Sequence, residues 1–186
     1  MARRGFRVTS GCAPVVGIPA VEAAFKVAPT GARFYLRLRG GTTYRRTAPA
    51  IVVGSEDIDE MRKIFIPEVS TLVAMGGRPT SPAQVSGTIQ EIEMALSLGI
   101  PVLLLPQVGG DVAVHYERLR AIMNSAYKDE PLRCIVGKAN DDLRAVGPDE
   151  LLTHARTILG DQIESILSTL MGAAMAIHRG ASASEW

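Results

Sequence analysis

The run IPVLLLP at residues 100–106 most constrains what this chain can fold into. Its apolar residues follow one another without alternation, which indicates a strand buried on both faces, as in the middle of a parallel sheet. A helical pattern precedes it at residues 87–99, and another follows at residues 109–126. Strands that alternate with helices predict an α/β fold with a mainly parallel sheet.

The same alternation extends along most of the chain. Further strands are predicted at residues 6–11, 33–39, 70–77 and 132–137, and residues 48–54 are either a short buried strand or an extended loop. Further helices are predicted at residues 17–28 and 55–69 and beyond Pro148. Helical spacing turns two sets of apolar residues inward: Ile58, Met61 and Ile64 in the second of these helices, and Ile89, Ile92, Ala95 and Leu96 in the helix before IPVLLLP.

The length of 186 residues suits one domain with its own core. We expect a core over residues 1–147 and C-terminal helices over residues 148–178. These helices either pack on the core or form an oligomer interface, and residues 179–186 form a disordered tail. The most apolar stretch, residues 163–177, is shorter than the about 20 residues of a spanning helix and contains Glu164, so no membrane span is predicted.

Charge and cysteine content narrow the classes of function. The net charge of +1 argues against a nucleic-acid binder, which needs a basic excess. The two cysteines lie far apart with no Cys/His grouping, so no metal site is predicted. Low cysteine content and the lack of a signal-peptide pattern favour a cytoplasmic protein.

Three glycine-containing loops follow predicted strands, and ligands of parallel sheets bind outside the carboxyl ends of the strands. The loops are TSGCAPVVG, GGRPTSPAQVSGT and PQVGGD. Glycine lets a ligand approach the backbone, and helix N-termini offer amides to phosphate. Glycine is also common in such loops without any ligand. The candidate ligand-binding residues are Ser10, Gly11, Gly76, Gly77, Arg78, Ser86, Gly87, Thr88, Glu91, Gly109 and Gly110.

The pair Thr88 and Glu91 has two interpretations. Thr-x-x-Glu has the spacing of a capping box, in which the carboxylate folds back onto an amide at the start of the helix. Alternatively, Glu91 lies at the rim of the crevice, where it binds ribose hydroxyls or assists glycosidic-bond cleavage. Arg62, on the preceding helix, has the pattern of a solvated face.

The order strand, Gly-Gly, loop, Gly-Thr-x-x-Glu, helix, Gly-x-Pro-Val, strand resembles the SLOG superfamily. Its LOG phosphoribohydrolases carry Pro-Gly-Gly-x-Gly-Thr-x-x-Glu, which matches Gly76, Gly77, Gly87, Thr88 and Glu91 here. The family's earlier arginine matches Arg62. The chain departs from the phosphoribohydrolases at Met75, where they have proline, and in the nine residues between the second and third motif glycines. The family's usual first strand and helix are also missing.

The resemblance implies a Rossmann-like fold that binds a nucleotide or a nucleotide-derived signal, ADP-ribose-like or AMP-like, without a further cofactor. The long loop and the later glycine pair are similar to sensor-type members, which implies a homo-oligomer joined to an effector domain or partner. The alternative is a nucleoside-5′-monophosphate phosphoribohydrolase, in which the resemblance makes Glu91 and Arg62 catalytic. A third possibility is a structural domain that works through its C-terminal helices.

Overall fold

A computed structural model describes residues 7–11, 17–37, 50–53, 57–78 and 86–146. The chain divides into two compact units, Met1–Glu68 and Val69–Trp186. Both are mixed α/β structures, and every pair of hydrogen-bonded strands in the described ranges is parallel. The predicted α/β class and parallel pairing are therefore confirmed.

In the part of the first unit that the structure describes, three strands form a sheet. The described elements of this unit are β1 (Val8–Gly11), α1 (Gly17–Val27), a 3₁₀ turn (Pro29–Gly31), β2 (Ala32–Arg37), β3 (Ala50–Val53) and α2 (Ile58–Phe65). The strand order is β1-β2-β3, with Val8 opposite Ala32 and Phe34 opposite Ala50. The helix α1 turns one stripe toward the start of the sheet, and this core contains Val8, Ile18, Val21, Ala24, Phe25 and Ala32.

The helix α2 buries a different stripe from the one predicted. It begins after Asp57, whose side chain accepts a hydrogen bond from a first-turn amide. Its buried residues are Met61, Arg62 and Phe65, whereas Ile64 is 44% exposed. Because successive residues are about 100° apart around a helix, a face centred on these three turns Ile64 to its side. The inward orientation predicted for Ile64 is therefore wrong.

Over its described residues, the second unit contains a two-stranded sheet and four helices. Its elements are β4 (Leu72–Met75), α3 (Gly87–Ser97), β5 (Val102–Leu105), α4 (Gly110–Val114), α5 (Tyr116–Ala126) and α6 (Glu130–Ala145). Strands β4 and β5 pair from Leu72 opposite Val102 to Met75 opposite Leu105, so their carboxyl ends coincide.

Strand β5 is the centre of the core of this unit. All four of its residues are buried, as the run IPVLLLP predicts. The inward face predicted for α3 is also confirmed, since Ile89, Ile92, Ala95 and Leu96 are all buried. The helices α5 and α6 add the buried side chains Leu119, Met123, Leu132, Val136 and Leu143.

The strand predicted at residues 132–137 is instead part of α6. That helix begins with Glu130 in its first turn and a proline directly after it, both typical of helix starts. The side of β5 that does not pair with β4 receives the side chains of Tyr127 and Asn140 in place of a strand. Within the described ranges β5 thus has one strand neighbour and does not lie in the middle of a sheet.

The predicted boundary after residue 147, the C-terminal helices and the tail lie outside the described residues, as do residues 12–16 and 79–85 of two candidate loops. In the described ranges, no helix is long and apolar enough to cross a membrane.

Candidate functional site

Two glycine pairs lie together at the carboxyl ends of β4 and β5. Gly76 and Gly77 follow β4, and Gly109 and Gly110 follow the 3₁₀ turn after β5 (Pro106–Val108). All four have positive φ angles, between 67° and 94°. The amide of Val112 donates to the carbonyl oxygen of Gly76 at 3.1 Å, which fastens α4 to the end of β4.

The contact between the pairs requires glycine at position 110. A Cβ built on Gly110 would lie 2.5 Å from the carbonyl carbon of Gly76 and closer still to the carbonyl oxygen of Gly77. These neighbours are backbone atoms, which cannot rotate away as a side chain can. The approach of one loop to the other therefore depends on the absence of a side chain at Gly110.

The N-terminus of the 11-residue helix α3 opens beside the same glycines. Ser86 caps it: its buried hydroxyl accepts from the amide of Ile89 at 3.3 Å. The first intrahelical hydrogen bond runs from Gln90 to the Ser86 carbonyl, so the amides of Gly87 and Thr88 precede it and have no acceptor within the helix. Such amides, at the positive end of the helix dipole, suit an anion.

The capping box predicted for Thr88 and Glu91 is wrong. The cap is Ser86, so Thr88 is the second residue of α3 and the first turn contains no acidic residue. Glu91 lies in the next turn, three residues after Thr88, and i,i+3 positions share one side of a helix. Thr88 itself faces Gly77: its Oγ1 is 3.2 Å from the position of a Cβ on that glycine. Ser86 therefore caps the helix, and the Thr88 hydroxyl is not needed for capping.

Asp111 completes this end of the sheet, and it is not among the residues predicted from the sequence. Its side chain is 2% exposed, and its Cβ is 3.1 Å from the position of a Cβ on Gly77. In the described part of the chain its Oδ2 is a buried oxygen with no hydrogen-bond partner. The one signal in the sequence is its position directly after Gly109 and Gly110. That position does not identify a site residue, because an aspartate that only caps a helix can occupy it too.

The remaining predicted residues lie in the first unit or at the surface. Ser10 and Gly11 are the last two residues of β1. Arg62 is 4% exposed and donates to Asp59 Oδ1 at 2.7 Å, so the solvated position predicted for it is wrong. Whether these three residues join the glycine pairs of the second unit stays a prediction. Arg78 is exposed directly after the first pair.

A separate surface groove lies on α5 and α6. It has a volume of about 620 Å³ and is lined by Asn124, Arg133, Cys134, Gly137, Lys138 and Asp141. Two of its charges are already paired, since Arg133 contacts Glu130 and Asp141 contacts Arg120. None of the predicted site residues lines this groove. In the described ranges, no three His, Cys, Asp or Glu side chains are grouped to hold a metal ion.

Comparison of the chain with protein-family models, with curated proteins and with solved structures found no match. The case for a function therefore comes from the residues around the two glycine pairs.

Proposed function

We propose that this chain binds a nucleotide or a nucleotide-derived metabolite, ADP-ribose-like or AMP-like, through a Rossmann-like core and acts as a sensor. The observation that supports this proposal is the contact of the two glycine pairs at the carboxyl ends of two parallel strands, beside the start of α3. Parallel α/β sheets bind their ligands at this end. Backbone that is held open by glycine and followed by a helix N-terminus is a recurrent way to hold phosphate.

The phosphate end of the ligand belongs at the start of α3. The amides of Gly87 and Thr88 lie before the first intrahelical hydrogen bond and so are available to an acceptor. The backbone of both glycine pairs borders the same place. Arg78, exposed next to Gly77, adds a guanidinium that can form a paired, charge-assisted contact with phosphate oxygens.

The sugar end of the ligand lies along the side of α3. Glu91, one turn after Thr88, takes a ribose hydroxyl in this arrangement. Self-association and an attached effector would then report binding, as in the sensor-type proteins that the sequence resembles.

The test is calorimetry of the full chain with AMP and with ADP-ribose, supported by thermal shift. A ligand that binds the folded state raises the melting temperature, and the rise grows with the logarithm of the ligand concentration above Kd. Binding of either probe with such a rise supports the proposal, and no heat and no shift with both probes overturns it. Chromatography of the AMP mixture for released adenine decides the hydrolase alternative, because a binder returns AMP intact.

A matched pair of arginine variants localises the binding. Arg78→Ala is expected to weaken AMP binding about tenfold, equivalent to about 1.4 kcal/mol. Arg133→Ala, in the groove on α6, is the control because it removes the same charge far along the chain and leaves the affinity unchanged. Equal affinities for the two variants would contradict the position given to the phosphate.

A further inference from the structure

Asp111 has a buried carboxylate oxygen that the protein leaves without a donor. Taking an ionised carboxylate out of water without a hydrogen bond is costly, and buried polar atoms in proteins are paired as a rule. Other buried polar groups of this unit follow the rule: Asn140 forms three side-chain hydrogen bonds, and Ser86 caps α3. Among the described residues, Asp111 Oδ2 shares its unpaired state with Gln107 Oε1 alone. A missing partner at a candidate site points to a donor brought by the ligand.

Asp111 lies beside Gly77 and Thr88. The position of a Cβ on Gly77 is 3.1 Å from Asp111 Cβ and 3.2 Å from Thr88 Oγ1. Any other residue at position 77 would fill this point with its side chain. The absence of a side chain at Gly77 lets both Asp111 and Thr88 approach this point.

The charge of Asp111 decides which part of a nucleotide can lie there. A carboxylate repels phosphate and attracts hydrogen-bond donors. The sugar hydroxyls are the neutral donors of a nucleotide nearest to its phosphates. A metal ion is disfavoured, because Asp111 belongs to no group of three ligating side chains in the described ranges.

We infer that Asp111 accepts a hydrogen bond from one ribose hydroxyl of the ligand, with the Thr88 hydroxyl beside it. This inference rests on the proposed function and adds to it the recognition of a ribose rather than a deoxyribose. Glu91 and Asp111 then each take one of the two neighbouring hydroxyls. The phosphates lie on the amides at the start of α3.

The test is a cycle between protein and ligand. The affinities of AMP, 2′-deoxy-AMP and 3′-deoxy-AMP are measured for the wild-type chain, Asp111→Ala and Asp111→Asn. In the wild type, loss of the contacted hydroxyl is expected to weaken binding about tenfold or more. Asp111→Ala should bind AMP and that deoxy analogue equally, and Asp111→Asn should retain part of the preference, because its amide oxygen still accepts.

The control is Asp141→Ala, which removes an exposed carboxylate on α6 and leaves the preference of the wild type unchanged. If the wild type binds AMP and Asp111→Ala or Asp111→Asn keeps the full wild-type preference for AMP over the deoxy analogue, the inference is overturned. The proposed function then still stands. Absence of binding by the wild type overturns both. Melting curves identify any variant that does not fold, and the isosteric Asp111→Asn then decides.

Discussion

The carboxamide oxygen of Asn140 accepts a hydrogen bond from the backbone amide of Leu104 at 2.7 Å. Its Nδ2 donates to the carbonyl oxygen of Val102 at 3.0 Å, so one side chain of α6 satisfies two backbone groups of β5. The backbone groups of successive residues on a strand point toward opposite neighbours. Those of Pro101 point toward β4, because its carbonyl oxygen accepts from the Leu72 amide. Val102 and Leu104 therefore face away from β4, and Asn140 bonds where another strand would.

Asn140→Ala is expected to lower the free energy of unfolding by about 3 kcal/mol, because it leaves the buried Leu104 amide and Val102 carbonyl without partners. Urea denaturation measures the change. Asn124→Ala is the control, since that asparagine is exposed on α5 and its loss should cost no more than about 0.5 kcal/mol. If both variants lost the same free energy of unfolding, the hydrogen bonds from Asn140 to β5 would not contribute to stability as argued.

Tyr127 forms hydrogen bonds at the start of β5, on the same side of the strand as Asn140. Its hydroxyl accepts from the Val102 amide at 2.9 Å and donates to the Ile100 carbonyl at 3.0 Å. Burial raises the pKa of this hydroxyl well above its ordinary value, and the hydrogen bond from Val102 lowers it by less. The protein therefore holds the neutral form, which alone can donate to Ile100.

The raised pKa of Tyr127 predicts a loss of stability in alkali. The unfolded state ionises at about pH 10, below the pKa of the folded state, so this contribution is complete below about pH 10 and declines above it. Tyr127→Phe should be less stable by about 2 kcal/mol at pH 7, with a gap that narrows above pH 10. Urea titrations of both proteins between about pH 7 and pH 10.5 measure the gap, and a constant gap would contradict the assignment.

Local pattern was enough for much of the fold and failed where tertiary contacts decide. The unbroken apolar run of β5 and the 3.6-residue spacing of α3 identify both elements, since burial alone produces those patterns. The segment LRCIVG has short apolar runs that suit a strand equally well. What makes it helical is the longer stretch from Glu130 to Ala145, whose buried stripe includes Asn140, a polar residue that no apolar pattern reveals.

The candidate site was predictable in its glycines and not in its carboxylate. Positive φ angles and close backbone approach need glycine, so Gly76, Gly77, Gly109 and Gly110 are visible in the sequence. The burial of Asp111 depends on how α4 packs against the end of β4, which is a long-range contact. Spacing gave the wrong cap for α3 because Ser86 and Thr88 both suit the position.

The cap of α3 separates the roles of Ser86 and Thr88. Ser86→Ala should lower the free energy of unfolding by about 1 kcal/mol, because the Ile89 amide loses its acceptor. Thr88→Val keeps the shape of its side chain and should change stability by no more than about 0.5 kcal/mol, while it weakens AMP binding. Denaturation and calorimetry on both variants test this division, and the reverse order of stabilities would restore Thr88 as the cap.

The contact between the glycine pairs can be measured against a glycine of the same backbone conformation. Gly110 has a φ angle of 68° and Gly99, after α3, has one of 71°, so an added methyl group costs both the same backbone strain, about 1 kcal/mol. A Cβ on Gly99 meets nothing within 4 Å, whereas one on Gly110 runs into the backbone of Gly76 and Gly77.

Gly110→Ala should therefore be less stable than Gly99→Ala by about 2 kcal/mol, which is the typical cost of forcing extra atoms into a packed contact. Thermal and urea unfolding of the two variants give the difference directly. Because the backbone strain is the same in the two variants, the remaining difference in stability measures the contact between the two loops. Equal stabilities would mean that the loops can separate without loss, and a site that depends on their contact could not then be held by the fold.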